Sequence, residues 1–188
     1  MDGIADLMFE TATEVDISVE AELGAAEPPA ETAAPPSGSA LRAASASPAE
    51  GIEAFRQVVA DELSRKLDSR LVKRRRSLFA APGTNAVIAV SKRYDRGYQP
   101  YWYALYEAQL AFIQEAARGF LVLGALDTRT AYALPTAVVA PMTKRLKFTR
   151  RDQGQLYWHI AVRLDPGGPV LPLTDGELDL APYRLQIG

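Results

Sequence analysis

Apolar residues recur at every third or fourth position between residues 52 and 71, which is the spacing of one face of an α-helix. This apolar stripe consists of Ile52, Phe55, Val59, Leu63, Leu67 and Leu71. Ser47 or Pro48, followed by Glu50, is typical of a helix start. Charged residues fill most of the intervening positions and predict a solvated opposite face. We therefore expect a long helix that begins near Ser47 and ends at about residue 75.

Alternating side chains mark residues 155–164, QLYWHIAVRL, as a strand. One side of this strand carries Leu156, Trp158, Ile160 and Val162, and the other carries Tyr157, His159, Ala161 and Arg163. Aromatic residues are also dense in PYWYALYE (100–107), which is typical of an extended segment. At least half of the aromatic side chains should lie in the core, and we assign Trp102 and Trp158 to it.

Turn residues divide the rest of the sequence into short elements. The expected strands are AVIAVSKRYD (86–95) after a turn at APGTN, FLVLGALD (120–127) and AYALP (131–135) as a hairpin that turns at DTRT, and two short closing strands in LPLTDGELDLAPYRLQI. EAQLAFIQEAARG (107–119) predicts a short helix, and TAVVAPMTKRL predicts a short helix or a loop interrupted by Pro141. The fold class is therefore α+β: a long N-terminal helix plus a mostly antiparallel sheet of about five or six strands with one or two short helices.

Charge divides the chain into two unequal parts. Residues 1–50 hold ten carboxylates against the single cation Arg42, a net charge of −9. Residues 51–188 hold twenty Lys and Arg against thirteen Asp and Glu, a net charge of +7. Such an asymmetry favours a basic part that binds nucleic acid or another polyanion, accompanied by an acidic tail.

The domain boundary follows from composition. Residues 21–50 are mostly Ala, Pro, Ser and Glu, which bury too little to offset the entropy of ordering. We expect an acidic disordered tail and Ala/Pro/Ser linker at residues 1–46, and a single α+β domain at residues 47–188. The segment IADLMFETATEVDISVE is either a solvated tail or a short acidic segment that docks on a partner or competes for the basic face.

Three basic clusters are the candidate nucleic-acid contacts. They are Lys73, Arg74, Arg75 and Arg76; Lys92, Arg93 and Arg96, beside Tyr94 and Tyr98; and Lys144, Arg145, Lys147, Arg150 and Arg151. Lys and Arg contact phosphates and release counterions, and neighbouring rings stack on unpaired bases. Cations at a helix end also complement its dipole, which explains one or two charges near residue 75 but not four in a row. We expect a DNA- or RNA-binding domain with no catalytic residues, whose acidic tail modulates access.

Two other functions stay open. The first is a protein-interaction or oligomerisation module, in which the helix at residues 50–75 docks its apolar stripe on a partner or a second copy. The second is a metal-dependent nuclease that uses Asp127 with Glu107 or Glu115, and Lys92 nearby. No Glu-x-Lys triplet completes such a site, and turn chemistry at DTRT explains Asp127 more simply.

Residue types limit the chemistry further. The chain has no cysteine, and its one histidine, His159, cannot form a His-rich metal cluster, so we expect no metal and no cofactor. A histidine in an alternating strand is typical of a structural position, and no GxSxG, P-loop or GxGxxG after a strand is present. The acidic N-terminus lacks the n-region of a signal peptide, and no apolar run reaches the roughly 18 residues of a membrane span. We therefore expect a cytoplasmic protein.

The succession of YWYA, FLVLG, AYALP, YWHI and LDLAPYRL across residues 70–188 resembles an uncharacterised prokaryotic domain found in hypothetical proteins. This resemblance implies a compact domain with aromatic strands. It implies no activity and no catalytic residues, and the first 70 residues lie outside it.

Overall fold

The computed structural model describes residues 48–94, 100–151 and 154–187, which form a helix layer, a six-stranded sheet and a five-stranded sheet. The predicted tail and linker at residues 1–46 lie outside the described residues, and so does Arg96. The elements in chain order are α1 (Pro48–Leu67), β1 (Val72–Lys73), β2 (Leu78–Ala81), β3 (Thr84–Ser91), β4 (Tyr101–Tyr106), α2 (Glu107–Gln114), β5 (Arg118–Ala125), β6 (Thr130–Pro135), α3 (Thr136–Met142), β7 (Phe148–Arg150), β8 (Leu156–Asp165), β9 (Gly168–Leu173), β10 (Gly176–Asp179) and β11 (Arg184–Leu185).

The α+β class is confirmed, but the expectation of a single sheet is wrong because the strands divide between two. The first sheet has the order β1-β2-β3-β5-β6-β11, and the second has the order β10-β9-β8-β4, with β7 also paired to β8. All neighbouring strands are antiparallel except β3 and β5, which run parallel. Between these two parallel strands the chain leaves the first sheet, since β4 pairs with β8 in the second.

The first helix, α1, ends at Leu67, well before the predicted end. Asp68 has a positive φ of 49°, which lies outside the right-handed helical region. Ser64 then fixes the outgoing chain, because its hydroxyl accepts a hydrogen bond from the backbone N–H of Leu71 at 3.0 Å. Leu71 is still buried with the helix. The apolar spacing therefore predicts correctly that Leu71 is buried, but the prediction that Leu71 belongs to the helix is wrong.

The apolar stripe of α1 packs on one side of the first sheet. Phe55, Val59 and Leu63 are almost completely buried there. Their neighbours in this core are Phe79, Ala86, Ile88, Val122, Ala131, Ala133 and Leu185. Arg56 adds a polar contact, since its Nε donates to the carbonyl oxygen of Ile88 at 3.0 Å. The surface that the oligomerisation hypothesis assigns to a partner is thus used inside the fold.

A second core lies between the two sheets. Leu121 and Leu123 of β5 share it with Tyr103 of β4 and with Ile160 and Val162 of β8, all nearly inaccessible to solvent. The helices α2 and α3 close this core with Ile113, Val139 and Met142. The alternation predicted for β8 is therefore confirmed on its inward side. Trp158 packs against this core while staying partly exposed.

Most of the other local predictions are confirmed. The hairpin that turns at DTRT is formed by β5 and β6, and the short helix predicted at residues 107–119 is the shorter α2. The segment around Pro141 forms α3 and one turn of 3₁₀-helix. The short strands β1, β2 and β7 have no clear sequence signal. No helix among the described residues combines the length and apolarity of a membrane span.

Candidate nucleic-acid interface

One side of the five-stranded sheet faces away from both cores, and we call its aromatic and basic part the outer face. Along β4 the outward positions alternate with buried ones, so Tyr101, Tyr103 and Leu105 enter the core and their neighbours do not. The outer face consists of Trp102, Ala104 and Tyr106 of β4, Tyr157, His159 and Ala161 of β8, and Lys147, Thr149 and Arg151 in and beside β7. The assignment of Trp102 to the core is therefore wrong.

Four rings form a continuous row on the outer face. The ring centres of Trp102 and His159 are 5.7 Å apart, those of His159 and Tyr157 are 5.0 Å apart, and those of Tyr157 and Tyr106 are 5.5 Å apart. Each ring is tilted by 41–58° against its neighbour. All four side chains are partly exposed. The row is thus an aromatic surface rather than part of the core.

The short strand β7 adds cations to this surface. The pairing of Thr149 with Tyr157 places Lys147, Thr149 and Arg151 on the outward side. The guanidinium carbon of Arg151 lies 5.7 Å from the centre of the Tyr157 ring, a cation–π contact. Neither Lys147 nor Arg151 forms an ion pair with a described carboxylate. Two cations of the third basic cluster therefore lie beside the aromatic row.

The imidazole of His159 lies in the middle of the row. Its backbone N–H donates to the carbonyl oxygen of Lys147 at 2.8 Å, and its Nε2 is hydrogen-bonded to Oγ1 of Thr149 at 2.7 Å. Partial burial, and to a smaller extent the charge of Lys147, hold the pKa of His159 below its usual value. The ring is therefore predominantly neutral near pH 7 and acts as a flat polarizable group. This arrangement agrees with the expected structural position and adds a place on the outer face.

The first basic cluster lies at the edge of the first sheet, not at a helix end. Lys73 in β1 is paired with Glu53 of α1, whereas Arg74 and Arg75 point into solvent. Arg76 is followed by Ser77, whose Oγ accepts from Nε2 of Gln109 at 3.2 Å. Oε1 of the same glutamine accepts from the backbone N–H of Tyr106 at 3.0 Å. The end of this cluster is thereby brought near the Tyr106 end of the outer face. The helix-dipole explanation does not apply, since Arg65 and Lys66 occupy the last turn of α1.

The second basic cluster lies at the other end of β4. The backbone N–H of Trp102 donates to Oγ of Ser91 at 3.4 Å, and Lys92 and Arg93 follow directly. The ammonium group of Lys92 lies 5.9 Å from the centre of the Tyr94 ring. Trp102 and Tyr106 are four residues apart along the extended strand β4, a distance of about 13 Å. Cations from two clusters therefore adjoin opposite ends of the row.

The remaining cations of the third cluster are less well placed. Arg145 is engaged by Asp175, with Nε and Oδ1 2.6 Å apart. Arg150 is exposed but pairs with Leu156, on the opposite side of β7 from Thr149. Lys144 is exposed in the 3₁₀ turn before β7. Of this cluster, only the two cations on the outer face adjoin the aromatic row.

Acidic residues limit the outer face toward β9 and β10. Arg163 continues the outward side of β8, but it is paired with Asp165 at 3.0 Å and also with Glu177 of β10. Its charge is therefore compensated within the sheet. Within the part of the chain that the structure describes, cations without a carboxylate partner and partly exposed rings occur together only at β4, β7 and the first half of β8.

The structure does not bring together the carboxylates of the nuclease hypothesis. Asp127 accepts hydrogen bonds from the Tyr101 hydroxyl at 2.9 and 3.0 Å, at the start of β4. Glu107 begins α2 directly after the end of β4, and Glu115 lies beyond that helix. Asp127 and Glu107 therefore lie at opposite ends of β4, a strand about 17 Å long. The described residues contain no group of three or more potential metal ligands.

The pattern of β4 contains the signal that identifies the outer face. In YWYALY, Trp102, Ala104 and Tyr106 are alternate residues and therefore lie on the same side of the strand. Pairing with β8 places them on the same side of the sheet as Tyr157 and His159. Hydrophobicity alone favours a buried tryptophan. The pairing of β4 with β8, which a single sequence does not specify, determines instead on which side of the sheet Trp102 lies.

No protein-family model matches the chain, and no curated protein or solved structure matches it either. The resemblance of residues 70–188 to an uncharacterised prokaryotic domain stays a prediction. Function must therefore be inferred from the chemistry of the outer face.

Proposed function

We propose that the protein binds nucleic acid, DNA or RNA, through the outer face and the basic residues around it. One observation carries this proposal: Lys147 and Arg151 lie beside a row of partly exposed rings, with no described carboxylate to neutralise them. Neutralising phosphates releases condensed counterions, which favours binding by clustered cations. The +7 charge of residues 51–188 adds a long-range attraction for a polyanion.

The other basic residues contribute unequally to this surface. Arg76 at the Tyr106 end and Lys92 and Arg93 at the Trp102 end extend the track of positive charge along both directions. Lys73 and Arg145 contribute less, because each is already engaged by a carboxylate. Four further cations are exposed and add to the general attraction for a polyanion: Arg74, Arg75, Lys144 and Arg150. Arg96, which the sequence predicts as a contact, lies outside the described residues.

The acidic N-terminal region tunes this attraction. Residues 1–50 carry a net charge of −9, which has the sign of the ligand. Their charge lowers the affinity of the whole chain for polyanions at low salt, and added salt screens the effect. The region would thereby favour ligands that offer more than a diffuse negative charge.

The proposal is tested by fluorescence anisotropy of the full chain with labelled single- and double-stranded DNA and RNA at two salt concentrations. The test variant combines Lys147→Ala with Arg151→Ala. A charge-matched control combines Lys66→Ala with Arg70→Ala, two exposed cations in the last turn of α1 and three residues after its end. We expect the test variant to bind more weakly and to lower the salt slope by about two, while the control changes both much less.

Two results contradict the proposal. The first is the absence of binding to every oligonucleotide at low salt. The second is an equal loss of affinity in the test variant and the control, which would indicate a general charge effect without a site.

A further inference from the structure

The spacing of large and small residues on the outer face leaves the rings accessible from the side. Trp102 is paired across the sheet with Ala161, and His159 is paired with Ala104. Paired side chains in a sheet are about 5 Å apart, so an alanine opposite a ring leaves space that a larger partner would fill. Ala161 itself is only 8% exposed, whereas Ala104 and the two rings stay partly exposed at the surface.

The rings do not cover one another. Their mutual tilts of 41–58° bring edges toward neighbouring rings, so no pair is stacked face to face. The core does not need these side chains, since the alternate residues of the same strands, among them Tyr103 and Ile160, fill it. Three aromatic residues and a histidine held in one row at a protein surface are typical of a binding site.

The two cations of the third cluster that adjoin the row lie on one side of it. Lys147 and Arg151 belong to the chain in and beside β7, which pairs with one edge of β8, whereas β4 pairs with the other edge. A linear polyanion held by these cations runs along β7. Groups that project from it toward β4 then reach the rings of β8 and β4.

Building on the proposed function, we propose that the outer face binds a single strand with unpaired bases. The phosphates lie along β7, and the bases stack on Tyr157, His159 and Trp102. A duplex does not fit this arrangement, because its bases are stacked on each other and paired, and it offers only phosphates and base edges. Stacking needs no particular base, so the site selects for single strands and tolerates different sequences.

The chain offers a direct spectroscopic test, because it has two tryptophans and only Trp102 lies on the outer face. The full-length Trp158→Phe variant leaves Trp102 as the single tryptophan. Its emission is recorded during titration with a thymidine oligonucleotide of about ten nucleotides, with an abasic oligomer of the same length, and with a duplex. We expect quenching by the thymidine oligonucleotide and little or none by the abasic oligomer or the duplex.

Affinities provide a second readout. Loss of one stacked base contact corresponds to about a tenfold loss of affinity. We therefore expect Tyr157→Ala to lower the affinity for the thymidine oligonucleotide about tenfold and to leave abasic-oligomer and duplex binding nearly unchanged. Phe148→Ala is the matched control, since Phe148 is 61% exposed on the other side of β7 and should not affect base-dependent binding.

If Trp158→Phe does not fold, the wild-type chain and Trp102→Phe are compared, and the quenching should disappear from the latter. Equal, salt-dependent binding of the thymidine and abasic oligomers would overturn base stacking and leave the proposed function intact. Preference for a duplex would do the same. Failure of all three ligands to bind at low salt would overturn both proposals and leave the outer face to a partner of another class.

Discussion

Oγ1 of Thr149 lies 2.7 Å from Nε2 of His159, so the short strand between Lys147 and Arg151 also fixes one of the two middle rings of the aromatic row. The backbone N–H of His159 reinforces this connection by donating to Lys147. Cations and rings are therefore positioned relative to each other by the same short strand. Displacement of β7 would disturb both at once.

The first prediction concerns the pKa of His159, which burial and, secondarily, Lys147 hold below the usual histidine value of about 6.5. The unfolded chain then takes up a proton more readily than the folded protein. This contribution to stability is complete above that usual value and is lost as the pH falls through the folded pKa. Because His159 is the only histidine, its imidazole NMR signals report the titration directly.

Substitution of Lys147 by Gln should raise the pKa of His159, yet leave it below the usual value because burial persists. Lys66→Gln on α1 should leave the titration unchanged. Saturation with nucleic acid should also raise this pKa, since phosphates favour the protonated ring. A titration midpoint above the usual histidine value in the free protein would contradict the description of this site.

The second prediction concerns the apolar stripe of α1. Leu63 is fully buried against the first sheet, so Leu63→Ala should lower the free energy of unfolding by about 2–5 kcal/mol. Chemical denaturation measures this change, and light scattering measures the molecular mass of the same samples. An unchanged stability with a changed mass would show that the stripe serves a partner or a second copy instead.

The third prediction compares two glycines. A Cβ atom at Gly119 would lie 1.9 Å from the carbonyl oxygen of Ile113 and 2.1 Å from Oγ1 of Thr136. Gly119→Ala should therefore destabilise the protein by about 1–3 kcal/mol or more, because backbone has to move. Gly51→Ala is the control, since a Cβ atom there has no neighbour within 4 Å and an alanine favours the helix by up to about 1 kcal/mol. Thermal unfolding should shift in opposite directions for the two variants.

The fourth prediction concerns the acidic N-terminal region. Replacement of Glu10, Glu14, Asp16, Glu20 and Glu22 by their amides should strengthen binding to oligonucleotides at low salt, and the gain should vanish at high salt. A control with Thr11→Ala, Thr13→Ala and Ser18→Ala alters the same segment without changing its charge. Equal affinities of the amide variant and the control would show that the acidic charge does not modulate access.

The sequence identifies core positions more reliably than the ends of elements. Leu63 and Leu71 belong to one apolar stripe and both are buried, but Asp68 between them takes a left-handed conformation that the stripe does not reveal. An aspartate tolerates that conformation and is equally compatible with a helix, so composition leaves both outcomes open. Consequently, the four cations of the first cluster lie at the edge of a sheet and not at the end of a helix, where the sequence predicts them.

The division into two sheets and the side on which Trp102 lies depend on long-range pairing. β4 follows β3 closely in the chain, yet it pairs with β8, more than fifty residues later. Alternation in an extended strand places Trp102, Ala104 and Tyr106 on one side. This alternation does not specify which side meets the core when both sides carry aromatic residues.

Consecutive residues of β8 are subject to different constraints, because they alternate between the core side and the outer face of the sheet. Ile160 and Val162 fill the core between the sheets, whereas under the proposed function Tyr157 and His159 serve a ligand that stacks on them. In a lineage that lost the ligand, the outward positions of this strand would drift toward ordinary polar residues while the inward positions stayed constant. The strand would then keep its fold and lose its aromatic character on one side only.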